Sequence, residues 1–406
     1  MLYDAYEMQR SLLAGASTLA NLGAGWLQNP ANPFSYSSAG PIVASALDVF
    51  AHAAASRGKP DFGLDSTMIE GREVAVHEEV VLRKPFGQLK RFRRSGVQGS
   101  PRLLIVAPMS GHYATLLRGT VERLLPGHDV YITDWRDAKL VPLEAGRFDL
   151  DDYIDYLIEF LEHIGPGAHV LAVCQPSVPA YAAAALMSAE KHPARPRTLS
   201  MMGGPIDTRE APTAVNTLAT QRPHSWFQQN VIATVPYPYP GAGRPVYPGF
   251  LQLAGFMTMN LGNHLVSHWE LFKHLVEGNG ESAEATKAFY DEYRAVCDMT
   301  SEFYLQTIDV VFQRHLLPKG ELTHRGRPVD PEALTDVALL AIEGERDDIS
   351  GVGQTKAALG ISTHLPPAMK KYHLARGVGH YGIFHGTKWR DRIAPVLEAW
   401  IARHDG

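Results

Sequence analysis

The sequence predicts an α/β protein built on a mostly parallel sheet. Short, continuously apolar runs recur along the chain, and most of them are followed by a stretch with helical periodicity. Continuously apolar strands separated by helices are typical of a parallel sheet covered on both faces. The runs are "RLLIVAP" (102–108), "DVYITDW" (129–135), "HVLAVC" (169–174), "TLSMMGG" (198–204), "VALLAIEG" (337–344) and "KKYHLARG" (370–377).

Residues 1–80, which precede these runs, are predicted to form an N-terminal helical extension. Two amphipathic helix candidates lie near Tyr3 to Leu27 and Pro41 to Arg57, and their role in dimerisation, attachment or simple packing stays open. The basic segment "LKRFRR" (89–94) alternates charge with Leu and Phe, which indicates a solvated edge strand.

The alternation of strands and helices is interrupted over residues 206–331, and this segment is interpreted as an inserted cap. Pro and Tyr crowd into "TVPYPYPGAGRPVYPGF", and a helical pattern with one apolar stripe follows from about Ala283 to Leu317. The α/β core then comprises residues 81–205 and 332–406. Cys297 falls within the apolar stripe and is interpreted as a core residue.

Charge and composition exclude several classes of function. A net charge of −5 without a long Lys/Arg run argues against nucleic-acid binding, and no membrane span is predicted. The N-terminus lacks the basic region of a secretory signal, and two cysteines cannot form a disulfide framework, so the cytoplasm is the expected compartment. The nucleotide and metal motifs G-x-x-x-x-G-K-[ST], G-x-G-x-x-G and H-E-x-x-H are missing, so neither a cofactor nor a metal is expected.

Cys174 stands where an apolar strand gives way to an alanine-rich helical stretch. Chemistry in an open parallel sheet occurs at the carboxyl ends of strands, and a helix N-terminus there favours a thiolate. Pro176 and Pro179 mark the helix start, because the first helical N–H groups have no intrahelical partner. A buried structural cysteine explains the position of Cys174 equally well.

A nucleophilic thiol needs a base and a group that orients the base, and the chain supplies candidates for both. Asp347 and Asp348 follow the strand "VALLAIEG", and His380 follows the last strand. An acid and then a histidine after late strands is the order of an α/β-hydrolase fold. Taken singly, however, an acidic pair is usually a solvated turn and a late histidine usually has no special role.

The candidate oxyanion donors are the backbone N–H of Gln175 and one from the loop "APMSGHYATLLRGTV", where Met109 or Ser110 is favoured. His112 is a candidate pocket residue, although packing explains it equally well. The sequence around Cys174 departs from the usual G-x-S-x-G, because Ala172 and Pro176 replace the glycines. Together these features indicate acyl transfer.

At these residues the chain resembles the intracellular polyhydroxyalkanoate (poly-3-hydroxybutyrate, PHB) depolymerases of bacteria. The resemblance covers nearly the full length and includes "MLYDAYEMQRS", "VYITDWRDAKLVP", "VCQPSVP", "MMGGPIDTREAPTAVNTLA", "EGERDDISGVGQT" and "GHYGIF". It implies a triad of Cys174, Asp347 and His380 on an α/β-hydrolase fold. It leaves Asp348 and Tyr381 as candidate pocket residues. The Asp-His-Ile stretch of the related polyester synthases aligns with "DDI" in this chain, which favours Asp347 over Asp348 as the triad acid.

The resemblance also implies hydrolysis of PHB through a hydroxyacyl thioester, and association with storage granules in the cytoplasm. A polyester synthase, a generic thiol esterase and a non-catalytic granule-binding protein are the alternatives, and a homodimer is left open. Eight aromatic residues of the cap form either a granule-docking groove or simple packing: Trp226, Phe227, Tyr237, Tyr239, Tyr247, Phe250, Phe256 and Trp269.

Overall fold

A computed structural model describes residues 2–37, 39–55, 58–259, 291–292 and 295–405. Within these residues, nine strands form one main sheet in the order β1-β2-β3-β5-β4-β6-β7-β13-β14. The strands from β5 to β14 along this order are parallel, and β1, β2 and β3 are antiparallel to their neighbours. Their bounds are Ser66–Ile69 (β1), Arg72–Arg83 (β2), Gly87–Arg94 (β3), Arg102–Val106 (β4), Asp129–Trp135 (β5), His169–Val173 (β6), Thr198–Met202 (β7), Ala338–Gly344 (β13) and Lys370–Ala375 (β14).

Helices cover both faces of the sheet. Those of the core are Arg118–Leu124 (α3), Leu150–Ile164 (α4), Ser177–Ala189 (α5), Ala357–Ile361 (α10), Gly386–Lys388 (α11) and Ala394–His404 (α12). One apolar cluster packs α4 and α5 against one face, and a second packs α3 and α12 against the other. Strands β4, β5, β6, β7 and β13 contribute side chains to both clusters, which explains their continuously apolar runs, whereas β14 at the sheet edge contributes only Ala375.

Local sequence explains where individual helices begin and end. The side chains of Asp149 and Asp152 each accept a hydrogen bond from the other's backbone N–H, so they form a capping box at the start of α4. Gly165, at a φ of 88°, ends the same helix. Helix α5 is rich in alanine and almost wholly buried, because small side chains allow it to lie close to the sheet.

This architecture is the α/β-hydrolase fold that the sequence predicts. The six apolar runs form β4, β5, β6, β7, β13 and β14, each within two residues of the expected bounds. The order of the three candidate groups, after β6, β13 and β14, is also that of an α/β hydrolase.

Two expectations for the start of the core are wrong. The core does not begin at residue 81, because β1 and β2 already belong to the main sheet from Ser66 onward. The segment "LKRFRR" is not a solvated edge strand, because β3 lies between β2 and β5. Carboxylates on both flanking strands neutralise its cations: Glu78, Glu79 and Asp129 pair with Lys90, Arg93 and Arg91.

The segment between β7 and β13 adds no strand to the main sheet among its described residues. It contains a three-stranded sheet of Ala233–Thr234 (β8), Pro245–Tyr247 (β9) and Met299–Thr300 (β10), and a two-stranded sheet of Thr323–His324 (β11) and Arg327–Pro328 (β12). Its helices are Ala214–Gln221 (α6), His224–Asn230 (α7), Gly249–Met259 (α8) and Ser301–Thr307 (α9), which a π-helix over Ile308–Gln313 continues. That this insertion acts as a cap stays a prediction.

The prediction of one long helix from about Ala283 to Leu317 is wrong within the described residues. Met299 and Thr300 are extended and pair with β9, so the helix begins only at Ser301. The expectation failed because short extended segments between helices leave the apolar spacing unchanged. The part of this prediction before Asp291, and residues 293–294, lie outside the described residues.

The N-terminal segment forms a helical hairpin of Leu2–Gln28 (α1) and Gly40–Ala54 (α2). Small side chains form the contact between the two helices, and the Ser17 hydroxyl donates to the Ala51 carbonyl oxygen at 2.7 Å. Tyr6 of α1 stacks on Phe250 of α8, with ring centroids 3.9 Å apart. The hairpin is thereby attached to the rest of the molecule through the inserted segment.

Candidate active site

The candidate residues meet at the carboxyl edge of the parallel strands. Cys174 directly follows β6, Asp347 follows β13 and His380 follows β14. Met109 lies in the loop after β4 at the same edge. This edge is where parallel α/β sheets carry ligands and chemistry.

The chain turns sharply at Cys174. This residue has a φ of 66°, in the left-handed region that only a constrained non-glycine residue occupies. Its N–H donates to the Met202 carbonyl oxygen at 2.7 Å, and its own carbonyl oxygen accepts from the Ser177 N–H at 3.0 Å. Helix α5 begins at Ser177 after Pro176. The strand, strained residue and helix form the turn on which α/β hydrolases present their nucleophile.

Gly204 provides the space that this turn needs. A Cβ atom on Gly204 would lie 2.0 Å from the Ser177 Oγ and 3.2 Å from the Cys174 carbonyl oxygen. The close approach therefore depends on a glycine of the neighbouring strand end, and Ala172 and Pro176 occupy the usual glycine positions. Sequence reasoning missed Gly204, although the pair "GG" directly after an apolar strand was an available signal.

Asp347 and His380 form a direct hydrogen bond. The His380 Nδ1 and the Asp347 Oδ2 are 2.7 Å apart, and the Asp347 side chain is fully buried. The other carboxylate oxygen accepts from the backbone N–H groups of Ile349 and Ser350, at 2.9 and 2.8 Å. The carboxylate is thus fixed on both sides, and it fixes the orientation of the imidazole.

Gly203 permits the contact between this pair and the end of β7. Its φ is 57°, and a Cβ there would lie 2.7 Å from the Ile383 Cδ1, 3.1 Å from the His380 Cε1 and 3.2 Å from the Asp347 Oδ2. Gly203 is a second glycine that sequence reasoning did not identify.

The pKa of His380 lies well above its usual value. Burial alone lowers this pKa, but the negative charges of Cys174 and Asp347 and hydrogen bonds to both side chains outweigh it. The imidazole therefore has Cys174 and Asp347 as its two charged neighbours. An imidazole held between a thiol and a carboxyl side chain is the arrangement of a base next to a nucleophilic cysteine.

Asp348, a candidate pocket residue, does not line the cavity of this site. Its side chain is exposed, whereas that of the preceding Asp347 points inward. The tight turn made by the bonds from Ile349 and Ser350 to Asp347 turns the two side chains apart. The expectation for Asp348 is therefore wrong.

The loop after β4 brings Met109 next to Gln175. Ala107 anchors the loop, because its N–H donates to Thr133 Oγ1 at 2.9 Å and its carbonyl oxygen accepts from Trp135 Nε1 at 2.8 Å. The Met109 N–H donates to the side-chain Oε1 of Gln175 at 3.3 Å. The Gln175 N–H forms no hydrogen bond within the described residues. The side-chain oxygen of Gln175 therefore occupies the Met109 donor.

A cavity of about 680 Å³ opens from Cys174 toward the inserted segment. Its walls are mainly apolar and include Met109 and Leu116 from the core and Val215, Phe227, Phe303 and Tyr304 from the insertion. Among the described residues, no Asp, Glu, Lys or Arg lines it. The cavity suits an uncharged, largely apolar molecule.

The predicted pocket residues His112 and Tyr381 line this cavity, and so does Ser110, a candidate oxyanion donor. The Tyr381 ring lies edge-on to the His380 ring with centroids 5.9 Å apart. Gln252 is a further lining residue, and sequence reasoning did not identify it. Its amide packs on Gly111, where a Cβ would lie 2.7 Å from the Gln252 Oε1.

The aromatic side chains of the insertion lie in different places and do not form one surface among the described residues. Phe227 and Tyr247 line the cavity, whereas Phe250 and Tyr239 contact α1. The Trp226 ring lies against Arg222, and Tyr237 is almost fully exposed. The side chain of Phe256 and all of Trp269 lie outside the described residues.

Cys297 is a buried cysteine, 2% exposed, but it does not lie in a helix. Burial, together with the nearby carboxylates of Asp137 and Asp298, raises the pKa of its thiol well above the usual value. A neutral thiol in this position is not a nucleophile.

Two kinds of feature are missing from the described parts of the chain. No helix there combines the length and the apolar character needed to cross a bilayer. No group of three or more His, Cys, Asp or Glu side chains there is arranged to hold a metal ion.

The C-terminal half of the chain matches a known protein family. Residues 203–405 match the family model described as "PHB de-polymerase C-terminus"; this segment contains Asp347 and His380, and Cys174 precedes it. No curated protein sequence matches the chain.

Among solved structures, the chain is similar to a meta-cleavage product hydrolase from Pseudomonas fluorescens (14% identity, 83% of this chain, 97% of that chain, TM-score 0.44). It is also similar to a thermophilic esterase from Thermogutta terrifontis (14% identity, 84% of this chain, 98% of that chain, TM-score 0.42). A third similar structure is naproxen esterase from Bacillus subtilis (12% identity, 80% of this chain, 92% of that chain, TM-score 0.42).

Proposed function

The chain belongs to the PHB depolymerase family and is a carboxylic ester hydrolase, and on this premise we propose that it cleaves the backbone esters of poly-3-hydroxybutyrate through Cys174. The main support is one arrangement: Cys174 and His380 line a cavity that no Asp, Glu, Lys or Arg lines among the described residues, and Asp347 is hydrogen-bonded to His380. A polyester of 3-hydroxybutyrate is neutral and mostly apolar, as this cavity requires.

In the proposed first step, His380 takes the proton of the Cys174 thiol while Asp347 stabilises the imidazolium. The sulfur attacks the ester carbonyl carbon, and the carbonyl oxygen becomes an oxyanion. The N–H groups of Gln175 and Met109 stabilise this oxyanion, since the substrate oxygen replaces the Gln175 Oε1 that accepts from Met109 in the free protein. The C–O bond then breaks, and His380 protonates the departing hydroxyl end.

The second step hydrolyses the hydroxyacyl thioester on Cys174. Water attacks the thioester carbonyl and gives its proton to His380, and collapse of the tetrahedral intermediate releases the carboxylic acid. His380 returns the proton to the sulfur, so the free enzyme is restored. The products are 3-hydroxybutyrate or short oligomers, and we propose that the enzyme works at the surface of amorphous polyester granules.

The first experiment incubates the purified protein with amorphous PHB particles and, separately, with 3-hydroxybutyryl-CoA. We expect released hydroxyacid from the particles and no polymer from the CoA thioester. The C174A variant should lose at least about a thousandfold in rate, as removal of a nucleophile does in other triads. The C297A variant is the matched control, and it should retain the rate because that thiol is buried and does not line the cavity.

Each alternative function has its own outcome. Release that persists in C174A would exclude Cys174 as the nucleophile. Polymer formed from the CoA thioester would indicate a synthase, and particle binding without release would indicate a non-catalytic granule protein.

A further inference from the structure

The outer face of the N-terminal hairpin carries an unusual stripe of large apolar side chains. Met8, Leu12, Leu19, Leu22 and Trp26 of α1 are each between 63% and 71% exposed. At 3.6 residues per turn they fall within about a quarter of the helix circumference, and the stripe is about 27 Å long. A helix at an ordinary water-facing surface turns such residues inward and polar residues outward.

The inner face of α1 has the opposite character. Ser17, Ala20 and Ala24 are buried against α2, and α2 presents Ala44 and Ala51 in return. Tyr3 and Leu27 are the large α1 side chains that are buried, whereas the five of the outer face bury little apolar area and so stabilise the hairpin little. The distribution of large and small side chains therefore does not serve the stability of the hairpin.

The rest of the hairpin extends this apolar surface. Ile42, Val43 and Phe50 of α2 and Phe34 of the connection are also exposed. No charged residue occurs between Arg10 and Asp48. We call this surface, formed by the outward side chains of α1, α2 and their connection, the hairpin face.

The chemistry of the hairpin face indicates an uncharged partner. An anionic lipid surface is recognised by Lys and Arg beside the apolar residues, and the hairpin face has neither between Arg10 and Asp48. A neutral polyester surface offers apolar groups together with ester carbonyl oxygens. Trp26 matches this combination, because its exposed ring is apolar and its indole N–H is a hydrogen-bond donor.

The hairpin is also close to the candidate active site. Helix α8 separates them: Phe250 of α8 stacks on Tyr6 of the hairpin, while Gln252 and Gly255 of α8 line the cavity. Tyr6 lies on the opposite side of α1 from the apolar stripe, so α1 and α8 together separate the hairpin face from the cavity wall.

We propose that the hairpin face is the surface by which this protein docks on a solid, uncharged polyester particle. This inference rests on the proposed function for the identity of the polymer. It assigns docking to the hairpin, and the exposed aromatic residues of the insertion are not needed for it.

The test compares two double variants by co-sedimentation with amorphous PHB particles. L12E/L19E places two charges on the hairpin face, and M68E/L143E changes two exposed apolar residues elsewhere in the same way. We expect the first to bind particles at least tenfold more weakly than the wild type, and the second to bind like the wild type. Both should cleave a soluble dimer of 3-hydroxybutyrate at the wild-type rate, which also shows that they are folded.

Further measurements separate the remaining outcomes. Unchanged particle binding by L12E/L19E would overturn the proposal, as would equal weakening by M68E/L143E. If sedimentation in solution shows a wild-type dimer that L12E/L19E dissociates while particle binding persists, the hairpin face is an interface between copies of the chain. Wild-type binding to anionic phospholipid vesicles in preference to PHB would indicate a membrane partner. If the wild type fails to cleave the soluble dimer but binds particles through the hairpin face, the proposed function fails and the docking surface stands.

Discussion

At the carboxyl edge of the sheet, the polar side chains of Asp347 and His380 are buried and hydrogen-bonded to each other, whereas on the hairpin the largest apolar side chains face outward. Burial of a charged group is costly unless hydrogen bonds and opposite charges compensate it. Exposure of a leucine forfeits roughly 1.5 to 3 kcal/mol of the stabilisation that full burial gives. Neither arrangement is what folding stability alone favours.

The two regions depart from the rules of folding in opposite ways. At the site, fixed hydrogen bonds inside the protein compensate the departure. On the hairpin face, no described part of the chain covers the apolar side chains, and the docking that we propose would cover them. Local departures from favourable folding are expected where function resides.

The largest expected effect concerns the carboxylate of the site. D347N removes the negative charge beside His380, and we expect kcat for ester hydrolysis to fall roughly 10²- to 10⁴-fold, as loss of the triad acid does elsewhere. D348N is the matched control and should keep the wild-type rate, because Asp348 is exposed and does not line the cavity. Steady-state kinetics on the soluble dimer check both. Equal losses would show that the burial of Asp347 is irrelevant to its role.

A smaller effect is expected at Gly203. Alanine at its positive φ costs about 1 to 2 kcal/mol of unfolding free energy, and its Cβ would press on the Ile383 side chain and the His380 ring. We expect G203A to lose both stability and hydrolysis rate. G63A has the same kind of φ with open space around the added Cβ, so it should lose stability alone. Denaturant unfolding and kinetics together distinguish the two, and a fully active G203A would contradict the close packing at the site.

The smallest effect concerns the anchor of the hairpin. The Tyr3 hydroxyl donates to Asp298, and burial, with the charge of Asp137, raises the pKa of Asp298 to about 6. The folded state therefore holds this proton more tightly than the unfolded state, so the stabilisation is complete below about pH 4 and is lost as pH rises through 6.

We expect the unfolding free energy of the wild type to fall between pH 4.5 and pH 7.5 by on the order of 1 kcal/mol more than that of D298N. The asparagine variant keeps an acceptor for Tyr3 but has no proton to lose. Urea denaturation at both pH values measures the unfolding free energies. An equal change in unfolding free energy between the two pH values for the wild type and D298N would refute this account of the anchor.

The core strands were predictable from sequence, and several pairings were not. The runs at 102–108 and 337–344 are buried on both faces, so their apolar character is continuous and visible in the sequence. Strand β2 is largely half-exposed and carries charged residues, so it has no such run. The buried position of β3 also escaped prediction, because the carboxylates that neutralise Arg91 and Arg93 come from separate strands, at Asp129 and Glu79.

The sequence by itself determined the strand runs, the turn at Cys174 marked by Pro176, and the succession of cysteine, acid and histidine. These are properties of neighbouring residues, and local periodicity and turn chemistry record them. Only the tertiary structure decided that Asp347 faces His380 while Asp348 faces outward, that Gly203 and Gly204 make room at the site, and that Gln175 reaches the Met109 N–H. Those contacts join residues that are distant along the chain, and they exist only because parallel pairing brings the ends of separate strands to one edge.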